Sequence, residues 1–269
     1  MFRQITPLVL IAIALFSLNL DARAQPQEVT NSIGMEFVLI QPGTFTMGSE
    51  EWTDASPRRQ VSITKPFYLG KFPVTQKEWE TVMGSNPSSF KGSDNPVETI
   101  SWDDARIFLA KLNALEKTER YRLPTEAQWE YAARAGATSE YILGDTIENL
   151  DDYAWHADNS DKSTHPVGLK KPNPWGLYDM IGNVWEYQND WHDRNYYANA
   201  PNADPIGPTD GESRISRGCS WDFIFTCAFG YRAAFKPSSA DDDVGFRVAF
   251  DAAAIVPNVK RFKLRRTPQ

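Results

Sequence analysis

The chain is short of the residues that catalytic centres and small scaffolds most often use. Two cysteines stand among 269 residues, too few for a scaffold built on disulfides. They are Cys219 and Cys227, and their spacing is not CxxC, which excludes a thioredoxin-like dithiol. Histidine is scarce too: His156, His165 and His192 are the only three. None of them forms HxxxH or HExxH, so a zinc-hydrolase motif is absent. Positive charge is in deficit. A net charge of −7 disfavours nucleic acid as the main partner. The one basic run, Lys260 to Arg266, sits at the C-terminal end and reads as a solvated tail. Neither an internal repeat nor a Gly/Ser linker divides the chain.

Long apolar runs are missing apart from one. Arg3 gives a basic start, an apolar run follows from Leu8 to Leu18, and Ala22-Arg23-Ala24 supplies a small-x-small cleavage site. That order is the order of a secretory signal peptide, and the run is shorter than the roughly 20 residues that span a bilayer. Residues 1–24 are therefore expected to be removed, leaving Gln25 first and the protein periplasmic or secreted. No cysteine follows the cleavage point to carry a lipid, so no membrane attachment is expected afterwards. In an oxidising compartment the two cysteines can form one bridge, stay free, or serve as a redox or metal pair.

What is present is aromatic and punctuated. The chain is 41% hydrophobic and 13% aromatic, with nine Trp, 16 Gly and 18 Pro. That composition excludes disorder and points to an irregular, loop-rich fold. Phe37 to Ile40 reads as a strand, Gln41-Pro42-Gly43 as a turn, and Phe45 and Met47 as the buried side of a second strand. Val61 to Lys71 alternates and reads as one further strand. Helices are expected from Thr75 to Met83, Ser101 to about Leu115, and Thr125 to Ala135, each opened by a capping residue. Beyond Gly136 the pattern weakens until GFRVAF (245–250), which reads as a last strand. A single domain over 27–251 with a tail at 252–269 is the simplest division.

Several words in this chain belong together. They are GMEFVLIQPGTFTMGS (34–49), FPVTQKEWETVMG (72–84), LPTEAQWEYAARAG (123–136), NPWGLYDMIGNVWEY (173–187), RGCSW (217–221) and GFRV (245–248). In this order they resemble the sulfatase-modifying factor family, the formylglycine-generating enzymes and their relatives. The resemblance implies an α+β, C-type-lectin-like fold, poor in regular secondary structure. It also implies calcium, wrapped by the Asp179 side chain, the Gly182 and Val184 carbonyls and the Glu186 carboxylate. Hard oxygens of that kind suit the ion. A second family calcium site would use Asn149 and the Leu150 carbonyl with Asn159 and Asp161.

In catalytic members of the family, two cysteines of this segment bind copper and oxidise a substrate cysteine. Copper(I) is soft and suits thiolates. Here Cys219 stands where the family has the second Gly of Gly-Gly-Ser-aromatic, and Cys227 falls near the second copper position. Asp222 or Phe223 occupies the first. Cys227, Cys219 and Ser220 are the candidate catalytic residues. Three arrangements of the pair are open: Cys219 replacing the missing ligand, a disulfide, or two buried small hydrophobes. Phe223-Ile224-Phe225 reads as packing. Trp79, Trp102, Trp129, Trp175, Trp185 and Trp221 read as core, His165 as structural, and Asp241-Asp242-Asp243 as a solvated loop. The expected function is that of an exported, monomeric, divergent oxidase acting on a peptide or protein substrate, with formylglycine generation compromised. The alternative is a non-catalytic C-type-lectin-like binding module.

Overall fold

The structure, a computed structural model, describes residues 27–142, 144, 146–148 and 150–254. The expected signal peptide, Asn149 and the basic run of the tail lie outside the described residues.

The first sheet takes its two edge strands from the two ends of the described chain. Its order is β1 (Glu28–Thr30), β2 (Glu36–Ile40), β5 (Phe67–Gly70) and β10 (Ala249–Asp251), all antiparallel. The central strands FVLI and FYLG are buried on both faces, which accounts for unbroken apolar runs where alternation would mark a half-solvated sheet. A two-stranded ribbon of β3 (Gly43–Met47) and β4 (Arg59–Ile63) sets Phe45 opposite Val61. The third sheet has the order β8 (Ala233–Phe235), β7 (Arg214–Arg217), β6 (Trp185–Trp191), β9 (Val244–Gly245). In it β6 runs parallel to β9, with Trp185 beside Val244.

Three helices form where the sequence places them, because each N-terminus satisfies its own free amides. α1 (Gln76–Met83), α2 (Trp102–Glu116) and α3 (Glu126–Arg134) open on reciprocal capping boxes: Thr75 with Glu78, Ser101 with Asp104, and Thr125 with Gln128. A short α4 (Tyr196–Asn199) follows β6. The Trp79 ring of α1 stacks on Phe108 of α2 at 5.4 Å, and Phe246 packs edge-on against both. One hydrophobic cluster runs from Val29 to Ala252. Trp79, Trp102, Trp129, Trp185 and Trp221 are all buried, while Trp175 is only partly so.

Two strand expectations change. Val61 to Lys71 is not one strand: it breaks at Thr64-Lys65-Pro66, where Thr64 bonds the Asp204 carboxylate through its amide at 2.8 Å and Pro66 has no N–H to give. GFRVAF is also interrupted, with Phe246 to Val248 outside any strand. The reason is Arg247, whose side chain turns inward and is fully buried.

Candidate functional site

Arg217, the last residue of β7, anchors the site. Its guanidinium is buried and donates to the carbonyls of Phe229 at 2.7 Å, Gly230 at 3.1 Å and Tyr231 at 2.8 Å. It also pairs with Glu130 of α3. Strand β7 and the chain 229–231 are therefore closed on each other, and the segment between must loop out. Gly218 and Cys219 both adopt left-handed backbone, φ 102° and 70°. At Gly218 a side chain would press on the Met180 carbonyl and the Trp129 ring, each 3.0 Å away. Cys219 adopts a conformation that favours glycine, at the position where the resemblance expects glycine. Of the three arrangements left open, the structure has the disulfide: Cys219 and Cys227 are bonded, Cα to Cα 4.8 Å, with both residues wholly buried. Cys219 lies outside any strand.

Ser220 is buried and its hydroxyl donates to the Asp243 carboxylate at 2.9 Å. Asp243 is pushed up to about 6, first by burial and then by Asp241 and Asp242, against the pull of Ser220. The reading of 241–243 as a solvated loop holds for Asp241 and Asp242, which are exposed, but not for the half-buried Asp243. No histidine serves Ser220. His156 bonds Asp151, His165 bonds the Ser160 carbonyl, and His192 faces Asp54. Ser220 therefore lacks the imidazole that would activate it as a nucleophile.

The loop between the cysteines is not packing. Phe223 is 42% exposed and Phe225 78%, which overturns the reading of Phe223-Ile224-Phe225 as core. Short internal bonds shape the loop, from the Phe223 amide to Ser220 and from the Cys227 amide to Ile224. Phe223 begins a run of ring contacts that continues through Trp185 at 5.8 Å and Tyr231 at 5.7 Å to Trp52 at 4.8 Å. Trp185 is buried, so the exposed rings of this run begin with Phe223, with Phe225 beside it in sequence.

The expected calcium ligands divide. Glu186 is fully spent: Arg247 donates to both its oxygens and Trp129 Nε1 donates to Oε2 at 2.7 Å. A carboxylate has about four lone-pair positions, and these contacts use them. Glu186, expected as a ligand, is here the partner of Arg247. Asp179 differs. It is buried, one oxygen takes the Gly168 amide at 2.7 Å, and the other has only Asn183 at 3.5 Å. Burial pushes it up to about 6. A buried carboxyl without a direct ion pair fits a cation, whereas the Gly182 carbonyl, expected beside it as a ligand, accepts the Val184 amide at 2.9 Å. Gly182 is required there, because a Cβ would come within 2.3 Å of the Trp155 carbonyl. Of the second set, the described members Leu150, Asn159 and Asp161 have other surroundings. The Leu150 carbonyl takes the amides of Tyr153 and Ala154. The Asn159 side chain is engaged with His156, Asp151 and Ala154, and Asp161 is exposed. Copper has no fit in this state, since both sulfurs are bonded to each other.

A separate cleft of about 330 Å³ lies among Lys65, Arg122, Gln128, Asn189, Asp204 and Asp251, with Arg122 and Asp251 paired. It includes none of the loop residues. Sequence reading gave no role to Arg217 or Arg247, although they lie within RGCSW and GFRV, and it took Asp243 as solvated.

The profile of the sulfatase-modifying factor enzyme 1-like domain matches residues 22–252. The chain is 30% identical over 267 residues to the chaperone protein LppX of Paenibacillus barcinonensis, covering 81% of this chain and 90% of that one. It is 35% identical over 195 residues to the formylglycine-generating enzyme of Streptomyces coelicolor, covering 66% of this chain but only 60% of the enzyme. Among solved structures, Treponema denticola variable protein 1 matches with TM-score 0.78 at 30% identity, covering 84% of this chain and 99% of that one.

Proposed function

Since the chain belongs to the sulfatase-modifying factor family and has its α+β, C-type-lectin-like fold, we propose that it is an exported, ligand-binding member and not a formylglycine generator. One observation carries this reading: the only two sulfurs of the cysteine pair are joined and buried, one of them at a glycine position. A soft-metal site needs thiolates, and none is present. What replaces the reactive pair is a fixed loop that holds aromatic rings to solvent. The disulfide also supports export, because such bonds persist in oxidising compartments. The names of the two sequence relatives, a chaperone and an enzyme, are consistent with one fold serving different functions.

The experiment combines thiol counting with turnover. One portion of the purified protein is denatured without reductant and titrated for thiols, and a second, native portion is offered copper, oxygen and a peptide containing Cys-x-Pro-x-Arg. The expected result is no free thiol and no aldehyde product. Turnover that vanishes in both Cys219→Ser and Cys227→Ser would sink the proposal in favour of the divergent oxidase. That second reading has one observation behind it: a Cα separation of 4.8 Å leaves both sulfurs within reach of one ion once reduced. Calcium belongs to the proposal through Asp179 and the Gly182 and Val184 carbonyls.

A further inference from the structure

Phe223 and Phe225 are held out to water by a closed loop. The crosslink fixes its ends, Arg217 fixes the carbonyls beyond it, and the loop's own amides bond within it. Rings presented this way need no ordering on contact, and that saves much of the usual entropic cost of binding. Their surroundings are mainly acidic. Asp222 is in the loop and exposed. Asp158 follows Ala157, whose amide donates to the Phe223 carbonyl at 3.1 Å. Asp242 accepts the Trp221 indole on its carbonyl at 3.2 Å, and its carboxylate, like that of Asp241, is exposed. The cations on the flanking segments, Lys91 and Lys162, are outnumbered, and Lys91 is tied to the Asn86 carbonyl.

Resting on the binding reading above, we infer that the loop of Asp222, Phe223 and Phe225 docks a cationic, lysine-rich polypeptide. Ammonium groups are attracted to ring faces and to the carboxylates around them. Lysine stems can also cover exposed rings while their heads stay in water. An anionic partner, whether nucleic acid or an acidic membrane surface, meets like charge here.

The probe is fluorescently labelled decalysine, titrated with mature, disulfide-intact protein at low salt. Fully acetylated decalysine and decaglutamate serve as comparisons. Decalysine is expected to bind and to weaken as salt rises, since exposed charges are screened beyond about 10 Å at 0.1 M. Phe225→Ala is expected to weaken it by about tenfold or more, the scale of losing one buried ring. Asp222→Asn with Asp158→Asn should weaken it further. Ile206→Ala, at another exposed apolar residue, in the separate cleft, should leave it unchanged. Thermal melts of each variant check folding. The inference is overturned if decalysine does not bind, if the acetylated peptide binds as tightly, or if Ile206→Ala weakens binding as much as Phe225→Ala. The turnover assay is independent: aldehyde production sinks the binding reading, whereas loss of charge selectivity sinks only this partner.

Discussion

Arg247 and Glu186 form a bidentate pair at the centre of the molecule. Nε and Nη2 of the arginine reach both carboxylate oxygens, at 2.6 to 3.0 Å. The remaining Arg247 donors go to the carbonyls of Gly70, Tyr178 and Asp179. One side chain thereby ties the first sheet, the 179–186 turn and β6 together.

Breaking that pair should be severe. Glu186→Gln leaves a buried guanidinium without its counter-charge, for which a loss of about 3–5 kcal/mol is expected. Urea denaturation of the variant measures it. The loss should be the same with and without chelator, because Glu186 acts through Arg247. A loss that appears only in the presence of calcium would return Glu186 to the role of ligand.

Calcium should act through Asp179. An ion bound only by the folded state raises its melting temperature, so calcium is expected to raise Tm and Asp179→Asn to remove the rise. The pH dependence has a definite sign. Asp179, raised to about 6 by burial, keeps its proton below that pH and offers no charge. The calcium effect should therefore be small at pH 5 and larger at pH 7. Scanning calorimetry at both pH values checks it, and an equal effect at the two would exclude Asp179 as the ligand.

Asp190 should make the protein less stable in base. It is buried, and burial followed by the charge of Glu126 pushes it up to about 8. A carboxyl with a raised folded pKa favours folding while protonated. Its contribution is therefore full below the unfolded value near 4 and is lost as pH rises towards 8. Asp190→Asn still offers an oxygen to the Glu126 amide, which Asp190 accepts at 2.9 Å. The variant is expected to gain stability relative to the parent as pH rises, by up to about 5 kcal/mol at pH 9. The gain should disappear near pH 4. Denaturant midpoints across that range give the result, and a pH-independent difference would contradict it.

The disulfide should stabilise modestly. Closing so short a loop restricts the unfolded chain by about 2–3 kcal/mol. Cys219→Ser with Cys227→Ser is expected to lose about that much and to remain folded, since Arg217 still closes the loop from below. Thermal melts with and without reductant test it on the parent protein. Complete unfolding on reduction would show that the crosslink, and not Arg217, holds the segment.

The chain's local chemistry determined its local structure. The capping boxes at Thr75, Ser101 and Thr125 are each written within four residues, and the helices start where those residues stand. The break at Gln41-Pro42 between β2 and β3 is equally local. The resemblance carried by the ordered words supplied the family and its fold, which spacing alone would not have given. What the tertiary structure decided is every pairing across long separations. Arg247 and Glu186 are distant in sequence, as are Arg217 and Glu130, and no periodicity says that a buried acid will meet an arginine and not an ion. Phe223 and Phe225 look like core in the sequence, because hydrophobicity does not record which side of a crosslinked loop faces water. Asp243 differs from Asp241 and Asp242 only in lying beneath Ser220. A side chain's type sets which partners it can satisfy. Which partner it meets, and whether water is excluded there, is fixed only when distant segments pack.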